Sequence, residues 1–464
     1  MAKPPIEIRL PTLHTGQVRA FQAKGPSDRQ LQLNPDFSEN RGSRYKAVRC
    51  GRRWGKTDFG KTWIGDGVLK GWPCGIFAPD YKRMIEVYNE LAVMLAPVLP
   101  KRGGTNKTEG VIRLITGGRI DFWTLEDEHA GRSRKYKRVF LDEAAFTKPN
   151  MMDIWKKSIQ PTLLDYRGEC VAASNTNGID PENFLWQVCN QPEHQFIEVH
   201  EPSWNNPHVP GRMPGRTDAE NTADREEFYA DLRRRTPPLV YAQEYEAEFV
   251  DWSGVAFFGL DKWLDANGNA YPYPTNCDGV FAVIDSAVKT GTNNDGTAVT
   301  YFARNKYAGI PLIILDYEIV QIEGAFLDVW LVSVMNHLET LARECGARGG
   351  VLGVWVEDKA SGTVLLQQAR KRGANVHAIG GSWMSMGKDE RALSVSSYHF
   401  QGLCKISIAA HNRLVNYKGT SRNHLESQVS GFRIGDKDAA RRADDLLDTY
   451  VHGLALALGD SKQF

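Results

Sequence analysis

The chain has 464 residues, of which 42% are hydrophobic and 24% charged, with a formal net charge of +1. This describes a soluble globular protein too long for one ordinary core, so two domains are expected. No apolar run reaches transmembrane length, Met1-Ala-Lys-Pro-Pro lacks a secretory apolar stretch, and the seven cysteines include no C-x-x-C pair. Neither a zinc site nor a disulfide framework is indicated, no membrane partner is expected, and a reducing cytoplasm fits.

Taken in order, Leu13-His14-Thr15-Gly16-Gln17 comes first. A glutamine ahead of a phosphate-binding loop can pair with an adenine edge through both amide functions, although an exposed Gln is commoner. Next, Tyr45–Thr57 reads YKAVRCGRRWGKT: a short β-favouring run, the loop Gly51-Arg52-Arg53-Trp54-Gly55, then Lys56-Thr57. Strand, glycine-containing loop and helix start are the layout of a P-loop. Loop N–H groups and the positive end of the following helix would cradle ATP phosphates. Lys56 would reach the β- and γ-phosphates, and Thr57 would ligate Mg²⁺. The pattern G-x-x-x-x-G-K-[ST] departs at its first glycine, which falls on Cys50.

Arg132 and Arg134 lie in a basic run continuing through Lys135, Lys137 and Arg138. Either could stabilise transition-state charge from a neighbouring subunit, with Arg52 a candidate in cis; a basic loop facing DNA or solvent is the plainer reading. Arg138–Ala145 reads RVFLDEAA, a buried strand with two acids at its carboxyl end. That end is where ligands bind in an open parallel sheet. Asp142 would hold Mg²⁺, and Glu143 would orient and deprotonate the attacking water. A further strand, Cys170–Ala173, leads into Ser174-Asn175-Thr176, where Asn175 could sense the γ-phosphate.

Proline and asparagine are dense over Glu201–Arg216, marking a boundary candidate. A helical segment, Asp218–Arg235, follows, ending in a second basic run, Arg233 to Arg235. A second break is expected over Asp265–Asp278. The expected division is a P-loop ATPase core over 1–200, a linker or closing subdomain over 201–265, and a second domain over 266–464.

In the second half, GVFAVIDS is a buried strand with Asp285 near its end. A carboxylate there must face a site or bear a large burial cost. Asn293 to Gly296 reads as a hairpin turn into strand Thr297–Phe302; strand Pro311–Tyr317 and helix Phe326–Cys345 follow. Strand Val351–Val356 runs into Glu357 and Asp358, which project on opposite faces, so one of them can point toward Asp285. Ala439–Leu458 reads as an amphipathic helix. Asp445 and Asp448 would share a face with Arg441 and His452, and Asp444 lies within reach of Asp448. Acids on a first strand, a later strand and a C-terminal helix converge at one end of a ribonuclease H-like sheet. They would hold two Mg²⁺ or Mn²⁺ ions about 4 Å apart, and oxygen-only ligands suit hard ions rather than zinc.

The motif order CGRRWGKT, FLDEAA, SNT, VIDS, VEDKASG and ADDLLD resembles the large terminase subunit of tailed bacteriophages. The resemblance implies an α/β fold, a P-loop ATPase domain with a mainly parallel sheet followed by a ribonuclease H-like nuclease. It favours Glu357 over Asp358, leaves Asp444, Asp445 and Asp448 open, and makes a P-loop without its first glycine ordinary. It also implies ATP-driven translocation of double-stranded DNA into a procapsid, cutting of concatemers, a ring of subunits on a portal protein, a small terminase subunit, and the host cytoplasm as location. A repair or recombination ATPase-nuclease is the alternative. A non-enzymatic DNA-binding module is disfavoured by the full set of acids, and a helicase by the lack of a second P-loop core.

Overall fold

The computed structural model describes residues 8–147, 150–252, 257–286, 296–306, 309–357, 361–435 and 443–459. Two compact units divide the chain: Met1–Arg233 with Pro238–Asp251, and Arg234–Pro237 with Trp252–Phe464.

The first unit is built on an eight-stranded sheet. Across it run Thr105–Asn106, Val111–Arg113, Arg119–Thr124, Pro73–Ala78, Arg138–Asp142, Glu169–Ser174, Tyr45–Cys50 and Phe196–Glu201. The last six pair in parallel, and the short first two add antiparallel at one edge. The near-continuous apolar runs in the central strands belong to a sheet covered on both faces. On one face, Val48, Phe140 and Val171 pack with Phe59, Trp63, Val87 and Leu91 from helices Lys56–Leu69 and Tyr81–Met94. On the other, Ala47, Leu141 and Ala172 meet Trp155, Leu163, Phe184 and Val188. The stretch 201–216, dense in proline and asparagine, belongs to this unit.

In the second unit, Gly279–Asp285, Thr297–Arg304 and Leu312–Val320 form an antiparallel meander. Val351–Val356 joins the first of these in parallel, Val376–Ala378 lies outside it, and Cys404–Ile406 closes the other edge. This is the ribonuclease H-like sheet expected from the motifs. Helices Leu327–Glu344 and Ser361–Lys371 cover one face. Helix Asp445–Leu458 crosses the other, beside Lys388–Phe400 and His424–Gly431. It approaches so closely that a Cβ on Gly453 would fall 2.4 Å from the Phe302 ring.

The final helix differs from its expected form. It begins at Asp445, with Asp444 as its N-cap. Nearly all its residues are buried, polar ones included, because sheet and flanking helices enclose it on every side. The expected hairpin residues Asn293 to Asp295, together with Asp358 and Arg441, lie outside the described residues.

Candidate nucleotide and metal sites

Register fixes the first site. Arg49 is level with Ser174, and Asp142 with Ala173, so the P-loop, the acids and Asn175 leave the sheet at one edge. Helix Lys56–Leu69 starts directly from Gly55, whose φ of 95° is the left-handed conformation that glycine adopts without strain. Lys56 Nζ donates to Asn175 Oδ1 at 2.5 Å and lies 3.3 Å from Glu143 Oε1. Burial disfavours the Lys56 ammonium, yet the neighbouring acids, led by Glu143, outweigh it and hold its pKa above the ordinary value. Thr57 Oγ1 donates to Asp142 Oδ2 at 3.4 Å, while Asp142 Oδ1 is buried with no hydrogen-bond partner among the described residues. Burial first, then the charge of Glu143, pushes Asp142 up to about 7. An orphaned carboxylate oxygen beside a threonine hydroxyl fits the pair expected to hold Mg²⁺. Glu143 has φ 50°, a strained backbone for a non-glycine residue, and Ser174 Oγ donates to its Oε2 at 3.2 Å.

The loop is braced from behind. The N–H groups of Gly51 and Arg52 donate to the Glu201 and Glu244 carbonyls at 3.0 and 2.7 Å. Ser203 Oγ and Asn206 Nδ2 each donate at 2.7 Å to the carbonyls of Arg52 and Arg53. Trp54 is fully buried and donates to Glu201 Oε2, so its side chain is core and only its backbone faces the loop. Gln17, expected at an adenine edge, has both amide functions on backbone: Nε2 donates to Gly55 O at 2.9 Å, and Oε1 accepts from His14 N at 3.1 Å. It braces the loop. The Arg52 guanidinium, a candidate in cis, is ion-paired with Glu244. Arg132 Nε donates to Ser158 Oγ at 3.1 Å, and Arg134 lies 3.9 Å from Asp121.

The second site forms where Gly279–Asp285 and Val351–Val356 end side by side. Val356 is level with Ile284, and Glu357 N donates to Ile284 O at 3.4 Å, which brings Glu357 beside Asp285. Asp445, buried at the helix start, accepts from Gly296 N at 3.3 Å. Burial drives the Asp285 carboxyl well above the carboxylate range, followed by the charges of Asp448, Glu357 and Asp445, with Lys388 opposing. Lys388 Nζ pairs with Asp444 and lies 3.0 Å from Asp448 Oδ2, and Arg391 is 3.5 Å from Asp448 Oδ1. Among the described residues, no three His, Cys, Asp or Glu side chains are already gathered for a metal ion. Lys388 and Arg391 engage Asp444 and Asp448 instead. Repelling carboxylates around Asp285 remain an oxygen donor set suited to a hard divalent cation.

No family model matches the chain. The terminase large subunits of Thermus phage G20c and Thermus virus P23-45 are each 31% identical over 140 residues, covering 27% of this chain and 25% of each relative. The match thus spans about a quarter of the curated relatives' length. The large terminase of a thermophilic bacteriophage, in complex with ADP, aligns with TM-score 0.62 at 12% identity, over 96% of this chain and 100% of that one. A second structure of that phage's terminase aligns with TM-score 0.58, also at 12% identity, over 93% and 99%. The chain has the large-terminase fold. Within it, sequence reasoning missed the residues behind the P-loop (Glu201, Ser203, Asn206 and Glu244) and the two cations Lys388 and Arg391. Only the Lys388–Arg391 spacing, one turn of a helix, hinted at a shared partner.

Proposed function

We propose that this chain is a large terminase subunit. It is an ATP-driven motor that moves double-stranded viral DNA into a procapsid, joined to a metal-dependent endonuclease that cuts concatemeric DNA. The observation that carries the reading is the occurrence, in separate units of one chain, of the Lys56–Glu143–Asn175 constellation and the acid cluster at Asp285. A relative with the same fold was solved with ADP, which supports nucleotide at the first site.

The N–H groups of Gly51, Arg52 and Trp54 already donate to carbonyls, so the phosphate cradle is left to Arg53, Gly55 and the helix N-terminus. Lys56 binds the β- and γ-phosphates, Thr57 and Asp142 hold Mg²⁺, and Glu143 orients the attacking water and accepts its proton. Asn175, hydrogen bonded to Lys56, reports the state of the γ-phosphate. Bound Mg²⁺ neutralises phosphate charge. In the second unit Asp285, Glu357 and Asp445, with Asp448 and Asp444, would hold divalent ions, which would supply the charge that activates water and stabilises the leaving oxygen. Arg132 or Arg134 serves a neighbouring subunit of a ring on the portal protein. The small terminase subunit selects the DNA, and the setting is the host cytoplasm. Among the described residues, no helix is long and apolar enough to cross a membrane.

Two variants test this. Lys56→Ala removes ATP hydrolysis and leaves Mn²⁺-dependent nicking of supercoiled plasmid intact; Asp285→Ala does the reverse. Loss of both activities from either change in a folded protein refutes the two-site reading.

A further inference from the structure

His452 lies one turn beyond Asp448 on helix Asp445–Leu458, with its side chain fully buried. Its Nδ1 accepts a hydrogen bond from Trp383 Nε1 at 2.8 Å. An indole N–H only donates, so Nδ1 carries no proton and the ring proton sits on Nε2. Among the described residues Nε2 has no hydrogen-bond partner, and Glu357 Oε2 stands 3.8 Å away. A buried N–H without an acceptor is costly, and a movement of roughly 1 Å brings this pair to hydrogen-bond length.

We propose that His452 is a positioning residue for the nuclease metal centre. Locked as the Nε2–H tautomer by Trp383, it donates to Glu357 Oε2, which turns Oε1 toward the cation. The chain of command runs from an indole on helix Gly381–Met384, through the imidazole, to a carboxylate at the end of strand Val351–Val356. The arrangement suits a site where four acids repel one another. A neutral donor on one oxygen orients the carboxylate without adding a charge that would compete with the metal.

The inference rests on Glu357 as a metal ligand, and the test separates the two claims. Mn²⁺ binding is measured by calorimetry on the full chain, with Asp142→Asn present throughout so that the first unit takes up no metal. His452→Leu is expected to weaken Mn²⁺ binding at least about tenfold, as loss of outer hydrogen bonds does at metal sites. His452→Gln, whose amide N–H falls near the Nε2 position, is expected to restore it to within about threefold. If His452→Leu binds as tightly as its parent while Glu357→Ala does not, the role of His452 is refuted alone. If Glu357→Ala also binds unchanged, the metal reading of Glu357 falls with it. Should His452→Leu fail to fold, the two-bond ¹H–¹⁵N spectrum of the unsubstituted protein decides: an Nε2–H pattern supports the proposal, and an Nδ1–H pattern overturns it.

Discussion

Cys50 stands where a phosphate-binding loop usually opens with glycine, and the structure relocates that requirement by one residue. The Cys50 side chain is fully buried, with Sγ 3.8 Å from the Ser174 carbonyl. At Gly51, by contrast, an added Cβ would lie 2.3 Å from Ser203 Oγ and 2.5 Å from the Tyr245 carbonyl. The backbone must pass closely there, so glycine is needed at the second position and a small side chain is accepted at the first. Burial also pushes the Cys50 thiol far up, which leaves no thiolate to react. All seven cysteines are free and buried. The native protein is therefore expected to show negligible labelling by a maleimide at pH 7 and seven labels after denaturation. Rapid labelling of one thiol in the native state would place that cysteine in an open loop.

Among the elements, the C-terminal helix carries both chemistry and stability. Tyr450, on its sheet side, accepts from Trp263 Nε1 at 3.0 Å and bonds His399 Nδ1 at 2.7 Å, while His399 Nε2 reaches the Gly259 carbonyl at 3.0 Å. This chain needs a neutral imidazole, because protonated Nδ1 could no longer accept. Burial accordingly lowers His399 to about 4 from its ordinary 6.5. The unfolded chain then binds more protons than the folded one between those values. Stability is complete above about pH 6.5 and is lost as pH falls toward 4. Denaturant unfolding of this unit should show a loss of about 2 kcal/mol from pH 7 to pH 5 that His399→Gln flattens. The strands that flank this helix were legible as apolar runs ending in acids. Its own burial was not, since the Asp445, Asp448, His452 spacing reads equally as a solvent face. Only the helices packed over it, Lys388–Phe400 and His424–Gly431, decide the matter, and neither carries a motif.

At the scale of the whole molecule, two compact units predict two unfolding events. Thermal unfolding should resolve two transitions, and ADP with Mg²⁺ should raise only the one that Lys56→Ala makes unresponsive. One cooperative transition moved by ADP would contradict this. Under the proposed function, cutting should also follow phosphate contacts rather than base readout, because exposed cations such as Arg134, Lys135, Arg234 and Arg235 would position DNA without reading it, whereas Arg138 is buried and paired with Asp66. A cleavage map with one strong consensus would count against that. At this scale sequence reading reached the motifs and missed what holds them. Lys56, Asp142 and Asn175 sit in recognisable strings, whereas Glu201, Ser203, Asn206 and Glu244 meet the P-loop from roughly 150 to 190 residues away. No local pattern announces such a pairing.

The bracing of the P-loop has a mechanical meaning. Arg52 N–H is bonded to Glu244 O, Thr176 Oγ1 reaches the carbonyls of Gln243 and Glu248, and Arg49 Nη1 holds Ala247 O at 2.5 Å. The loop at 51–55, the strand end at Asn175 and Thr176, and the segment Pro238–Asp251 that closes the first unit are thus one hydrogen-bonded piece. A displacement at the loop would therefore carry the segment 238–251 with it, as a stiff crank would and a slack hinge would not.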